Sequence, residues 1–293
     1  MSFETKPLTP SFGVEVIGTP LADIVPSGRF DELRALFEEH SALLFRQQDF
    51  SDADHLALAQ AFGPIEDRKA DERKKGEAFE IPKVTNEAAD KSLKGAEEMQ
   101  RLHLESNFLW HADRTFIPIP SLTNILTARV VSKTGGATEL ASTRAAWAAM
   151  PAALKAKIEG RGIWHHYSTS RAKISPELAK HPMFHKWPAT HWKSVWTNPV
   201  NGREALYIAS HAYEVDGYSP ADSVALLDEL MAFSTQPEFT YSHNWAVGDV
   251  LIWDQRATLH RGTPWPYEQP RTLSSICVSV TDADGVEATR LAS

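Results

Sequence analysis

Two side chains two positions apart, His111 and Asp113 in the run Trp110-His-Ala-Asp113, carry the first chemical signal in this 293-residue chain. On an extended backbone successive side chains alternate between faces, so residues two apart project the same way. An imidazole and a carboxylate projecting together form a mixed nitrogen–oxygen pair suited to a divalent first-row metal. One more histidine would complete the two-His, one-carboxylate facial triad, which leaves open positions on non-haem iron(II). His260 is the best candidate for that third ligand. It follows the apolar run Val250-Leu-Ile-Trp253, in Trp253-Asp-Gln-Arg-Ala-Thr-Leu-His260.

Iron(II) with three open positions can take a chelating keto acid and still admit O2. 2-Oxoglutarate would chelate through its C1 carboxylate and C2 keto oxygen, and its far carboxylate needs an anchor. Arg271 opens the next strand-like run after His260, and a guanidinium offers a planar two-donor fork for a carboxylate. Read alone, His-x-Asp is weak, because most such pairs are surface or core residues with ordinary hydrogen bonds. The combination with a distant His and an Arg is more specific, but a zinc hydrolase and a non-catalytic cupin-like binder stay open on these residues.

The elements that must position these groups read as mainly β. Phe12–Gly18, Ser41–Arg46, Thr123–Val131, Glu204–Ala209, Asp249–Trp253 and Thr272–Val280 are strand-like. Residues 30–40 place Leu33, Leu36 and Phe37 on one helical face. Ser51 with Asp54 caps a helix that Gly63-Pro64 stops. Further helices are predicted over 143–159 and from Ser219-Pro220 to about Phe233. Many strands, few helices and no βαβ alternation argue against a Rossmann-type sheet and favour a double-sheet jelly roll with added helices. Two stretches stand apart as surface excursions, each a candidate lid: 65–106, with the charged run Arg68–Gly76, and 165–200, with Trp187, Trp192 and Trp196.

Composition narrows the function classes. A formal net charge of -8 argues against general nucleic-acid binding. No run of about 18 apolar residues marks a membrane span, and the first residues lack the pattern of a secretory signal. The one cysteine, Cys277, fits a reducing, cytoplasmic setting and reads as a small core residue in a buried strand.

With these residues laid out, the chain resembles the taurine and 2,4-dichlorophenoxyacetate dioxygenase family of iron(II)/2-oxoglutarate enzymes. The resemblance runs from Phe12–Gly18 through Leu43–Gln48, Ala61–Pro64, Trp110–Phe116, Gly135–Thr138 and Trp245–Val250 to Trp253–Arg261, nearly the whole chain. It implies a double-stranded β-helix, and His111, Asp113 and His260 as iron ligands. It implies Thr138 and Arg271 as holders of the far 2-oxoglutarate carboxylate, and Asn107 as a residue lining the active site. Trp253 either flanks the cosubstrate pocket or is a core aromatic on its strand. Relatives are commonly oligomeric, so a homo-oligomer is expected.

One departure stands out. Relatives often carry a second basic residue four positions after the first arginine, and here that position is Ser275. Arg114, His103 or a residue of 165–200 is then needed to meet an anionic substrate. The pair His165-His166 could also face substrate, although loop histidines are more often solvated. The reading closest to these features is oxidation of a small carboxylic acid with an aryl or apolar body, with the same chemistry on a sulfonate or alkyl sulfate as its rival.

Overall fold

The computed structural model describes residues 3–67, 77–88, 90, 92–93, 102 and 104–291. His103 and the charged run Arg68–Gly76 lie outside the described residues.

The chain opens with the hairpin β1 (Glu4–Pro7) and β2 (Val14–Ile17), then a helix, Phe30–His40, and β3 (Ala42–Phe45). The next helix, Asp52–Phe62, begins as the sequence predicts. Ser51 accepts from the Asp54 amide while the Asp54 carboxylate accepts from the Ser51 amide, a reciprocal cap. A short edge strand β4 (Lys83–Thr85) follows, then the long β5 (Ser121–Val130) and β6 (Thr138–Ser142).

The helix expected over 143–159 is two helices, Thr143–Ala149 and Ala152–Ile158. The break falls at Met150, whose ψ of 133 is the extended value favoured by a residue that precedes proline, here Pro151. Five short strands come next: β7 (Gly162–His165), β8 (Thr190–Lys193), β9 (Val195–Thr197), β10 (Glu204–Leu206) and β11 (Ala212–Val215). After the helix Pro220–Ser234, the chain ends through β12 (Thr240–His243), β13 (Val250–Asp254), β14 (Thr258–Gly262) and β15 (Thr272–Ser279).

The architecture is mixed α/β with several antiparallel sheets. The largest has seven strands in the order β1-β2-β3-β13-β5-β15-β4, and β2–β3 is a parallel pair within it. A three-stranded sheet runs β12-β6-β14. β11-β7-β8 and the pair β10-β9 form two smaller sheets.

Period-two alternation gives the central strands two different faces. Ile125, Ile252, Ile276 and Val278 join one apolar cluster with Leu33, Phe37, Leu58 and Phe62 of the two N-terminal helices. Leu126, Leu251, Trp253 and Leu273 face the other way and pack with Leu140 of β6, between the large sheet and the three-stranded one. The candidate site opens on this second face. Within the stretch 165–200, Trp192 and Trp196 are 1% exposed and belong to the first cluster, whereas Trp187 is exposed.

Candidate metal centre

His111 is not in a continuous strand. It forms a single antiparallel bridge with His260 of β14, and the backbone then turns, with Arg114 in the left-handed region at φ 59. The residues still alternate: Ala112 is buried beneath while His111 and Asp113 point into one cavity of about 560 Å³. His111, Asp113 and His260 therefore come together as expected, with one ligand atom from each within 4.8 Å of the others.

The protonation pattern suits ligation. His111 Nδ1 lies 2.7 Å from the Leu109 carbonyl, which can only accept, so Nδ1 carries the proton and Nε2 keeps its lone pair. Burial pushes the His111 pKa down, against the opposing pull of Asp113. Burial, then the neighbouring His111, pushes His260 down to about 3. Both imidazoles are thus neutral at pH 7, the state in which a histidine binds a metal. Asp113 is held by its neighbours. Its Oδ2 accepts from Gln255 Nε2 at 2.6 Å and from Asn124 Nδ2 at 3.4 Å, with Cys277 Sγ at 3.7 Å.

Arg271 lines the same cavity and is 4% exposed. Its Nε and Nη2 donate to the Gly136 carbonyl at 3.1 and 2.8 Å, and its guanidinium lies over the Trp265 ring. Among the described residues no carboxylate pairs with it, and burial alone pushes its pKa down to about 10. A buried cation without an anion is costly, so the cavity holds a positive charge suited to an incoming carboxylate. Gly136 makes room for it. Its φ is +70, and a Cβ at this position would lie only 2.9 Å from Arg271 Nε, so the position suits glycine.

Thr138, at the start of β6, is buried on the cavity wall, and its Oγ1 accepts from Trp245 Nε1 at 3.0 Å. Trp253 lies where the core meets the cavity. It is fully buried on β13, and its ring sits 4.8 Å from that of His260 on the cavity wall. Asn107 lines the cavity from a short 3-10 turn, Ser106–Phe108.

Cys277 is buried on its strand as expected, and it also borders the cavity and Asp113, because β15 turns Leu273, Ser275 and Cys277 to the same side. Two expectations change. His165 is not solvated: it is fully buried, with Nδ1 3.0 Å from Thr115 Oγ1. Arg114 is engaged by the buried Glu66 at 3.1 Å. Sequence reasoning also missed residues behind the ligands. Gln255 and Asn124 hold Asp113, and His211 sets its ring edge-on to His111 at 6.4 Å. No local sequence signal marks these three, because they reach the site through folding.

Residues 4–277 match the model of the taurine catabolism dioxygenase TauD, TfdA family. The chain belongs to that family. Its reaction class is that of an iron(II)- and 2-oxoglutarate-dependent dioxygenase. The chain is 34% identical over 281 residues to an (S)-phenoxypropionate/alpha-ketoglutarate dioxygenase of Sphingobium herbicidovorans, covering 93% of each chain. It is 32% identical over 276 residues to an alpha-ketoglutarate-dependent 2,4-dichlorophenoxyacetate dioxygenase of Cupriavidus pinatubonensis, covering 93% of this chain and 96% of the other. The crystal structure of AAD-2 in complex with Mn(II) and N-oxalylglycine superposes with a TM-score of 0.85 at 31% identity, covering 96% of this chain and 98% of that one. No helix among the described residues is long and apolar enough to cross a membrane.

Proposed function

We propose that this TauD/TfdA-family chain hydroxylates a C–H bond of a small organic acid with an aryl or apolar body, a phenoxyalkanoate being the model substrate. His111, Asp113 and His260 hold iron(II). Arg271 and Thr138 hold the far carboxylate of 2-oxoglutarate, with Trp253 packed beside it and Asn107 on the substrate side. The observation that carries this reading is the buried Arg271, without a carboxylate partner among the described residues, on the wall of the cavity that gathers the triad.

Iron(II) and 2-oxoglutarate, once bound, would supply the oxidising chemistry, with succinate and CO2 as coproducts of the hydroxylation. The protein positions and encloses. Its neutral histidines need lose no proton to bind the metal. Phe108, Phe184 and Met183 give the cavity apolar walls. Val84, the β4 partner of cavity-facing Leu273, adds to that apolar wall beside Ser275. Hydroxylation next to an aryl ether oxygen gives a hemiacetal, which collapses to a phenol and a keto or aldehyde acid.

The facing large and three-stranded sheets are read as the two layers of a double-stranded β-helix spanning residues 1–293 as one domain. Parts of 65–106 and 165–200 cover its mouth. The same reading makes the protein a cytoplasmic homo-oligomer.

Turnover of a panel of acids with iron(II), 2-oxoglutarate and O2 tests the proposal. It expects succinate coupled one-to-one to phenol release from phenoxyalkanoates. Sulfite or sulfate release from sulfonates or alkyl sulfates, with no phenol, moves the substrate to the rival class.

A further inference from the structure

Gln255 touches Asp113 at two points. Its side-chain Oε1 accepts the Asp113 backbone N–H at 3.1 Å, and its Nε2 donates to the Asp113 carboxylate Oδ2 at 2.6 Å. The first contact fixes which end of the amide is oxygen, so the second is a donor by necessity. Gln255 is 2% exposed, and its own N–H donates to the Leu122 carbonyl of β5 at 2.9 Å. Its flanking residues are pinned as well. The Asp254 N–H donates to the Ser41 carbonyl, and Arg256 is paired with Asp254 and Glu38. The same oxygen of Asp113 also receives Asn124 Nδ2, whose amide is oriented by Ser275 Oγ donating to Asn124 Oδ1 at 2.9 Å.

We infer that Gln255 is a positioning residue that keeps Oδ2 of Asp113 away from the metal, so that Asp113 coordinates through Oδ1 alone and one more coordination position stays open for cosubstrate. This rests on the metal reading of the triad. A short charge-assisted hydrogen bond to Oδ2 competes with two-oxygen chelation, and partners behind a ligating carboxylate tune metal affinity. Ser275 acts in the same direction, since by orienting Asn124 it helps load Oδ2.

The test is anaerobic titration of the metal-free full chain with Co(II), read by visible absorption, and with Mn(II), read by electron paramagnetic resonance. Native protein, Gln255→Met and Asn124→Ala are compared, with thermal melts of each metal-free form. Gln255→Met is expected to weaken Mn(II) binding about 10- to 100-fold and to alter the Co(II) band, as chelation by both oxygens changes the coordination number. Asn124→Ala is expected to move both readouts the same way and less, its contact being longer. Should Gln255→Met fail to fold, Asn124→Ala decides. Unchanged affinity and band in a folded variant overturn the clamp. A native chain that gives no metal signal at all instead brings down the triad reading beneath it.

Discussion

His111 and His260 exchange both of their backbone hydrogen bonds, His111 N–H to the His260 carbonyl at 3.0 Å and the reverse at 2.8 Å, which brings their rings to 4.1 Å. Main chain thus sets the two histidines side by side, and the Leu109 carbonyl at 2.7 Å from Nδ1 orients the His111 ring. β14 carries His260 and pairs with β6, which carries Thr138. One sheet thus positions a metal ligand and a candidate cosubstrate contact together.

Arg271 is the clearest target for separating cosubstrate binding from metal binding. Arg271→Ala removes a charge-assisted fork worth about 2–3 kcal/mol, or roughly 30- to 150-fold in the KM for 2-oxoglutarate. Arg271→Lys recovers little of it, because an ammonium cannot reproduce the planar two-donor geometry. Metal affinity of the metal-free chain should stay within about twofold of native. Steady-state kinetics with varied 2-oxoglutarate, beside Mn(II) titration, checks both halves.

Gly136→Ala should reach the same cosubstrate site by another route. Its φ of +70 and the 2.9 Å approach of a Cβ to Arg271 Nε force the backbone or the guanidinium to move. The expected cost is about 1–3 kcal/mol of stability. It should come with a raised 2-oxoglutarate KM, measured by a urea melt and by kinetics on the same preparation.

The triad was legible because chemistry and period-two spacing coincide at His111 and Asp113, and because an apolar strand leads directly to His260. The partners that fix those ligands were not legible. Gln255, Asn124 and His211 reach the site through folding, and nothing in their local sequence says which way they point. Cys277 is buried on its strand as read, but its place on the cavity wall was not legible: an apolar strand buried on both sides does not reveal which side borders a cavity. The helix break at Pro151 could have been read from the sequence, since proline constrains the residue before it. Asn107 and the pairing of Thr138 with Arg271 came from family resemblance.

The buried ionic cluster around Arg256 predicts a stability effect away from the chemistry. Arg256 is 2% exposed and pairs with Asp254 at 2.8 Å and Glu38 at 2.6 Å. Removing one partner of a buried pair leaves uncompensated charge, so Arg256→Ala should cost about 3–5 kcal/mol. Thermal denaturation of the metal-free chain measures it.

Buried histidines predict a pH dependence. Burial holds His55 down to about 4, against the favourable bond to the Ile125 carbonyl, and holds His165 down to about 3. Below the ordinary histidine value of 6.5 the unfolded chain takes up these protons and the folded chain does not. Stability is therefore full above that value and falls with pH toward about 4, by as much as about 3 kcal/mol for His55 alone. Urea midpoints of the metal-free chain across that range should show the decline, and His55→Gln should flatten it. A midpoint that rises on acidification would refute the assignment.

The central claim, that His111, Asp113 and His260 hold one iron(II) that 2-oxoglutarate then chelates, is tested most directly by anaerobic addition of iron(II) and 2-oxoglutarate to the full chain. A visible charge-transfer band should grow to one equivalent of metal and be absent in His111→Ala, Asp113→Ala and His260→Ala variants that retain the native fold. A band that persists in those three variants, or never forms in the native chain, would contradict it.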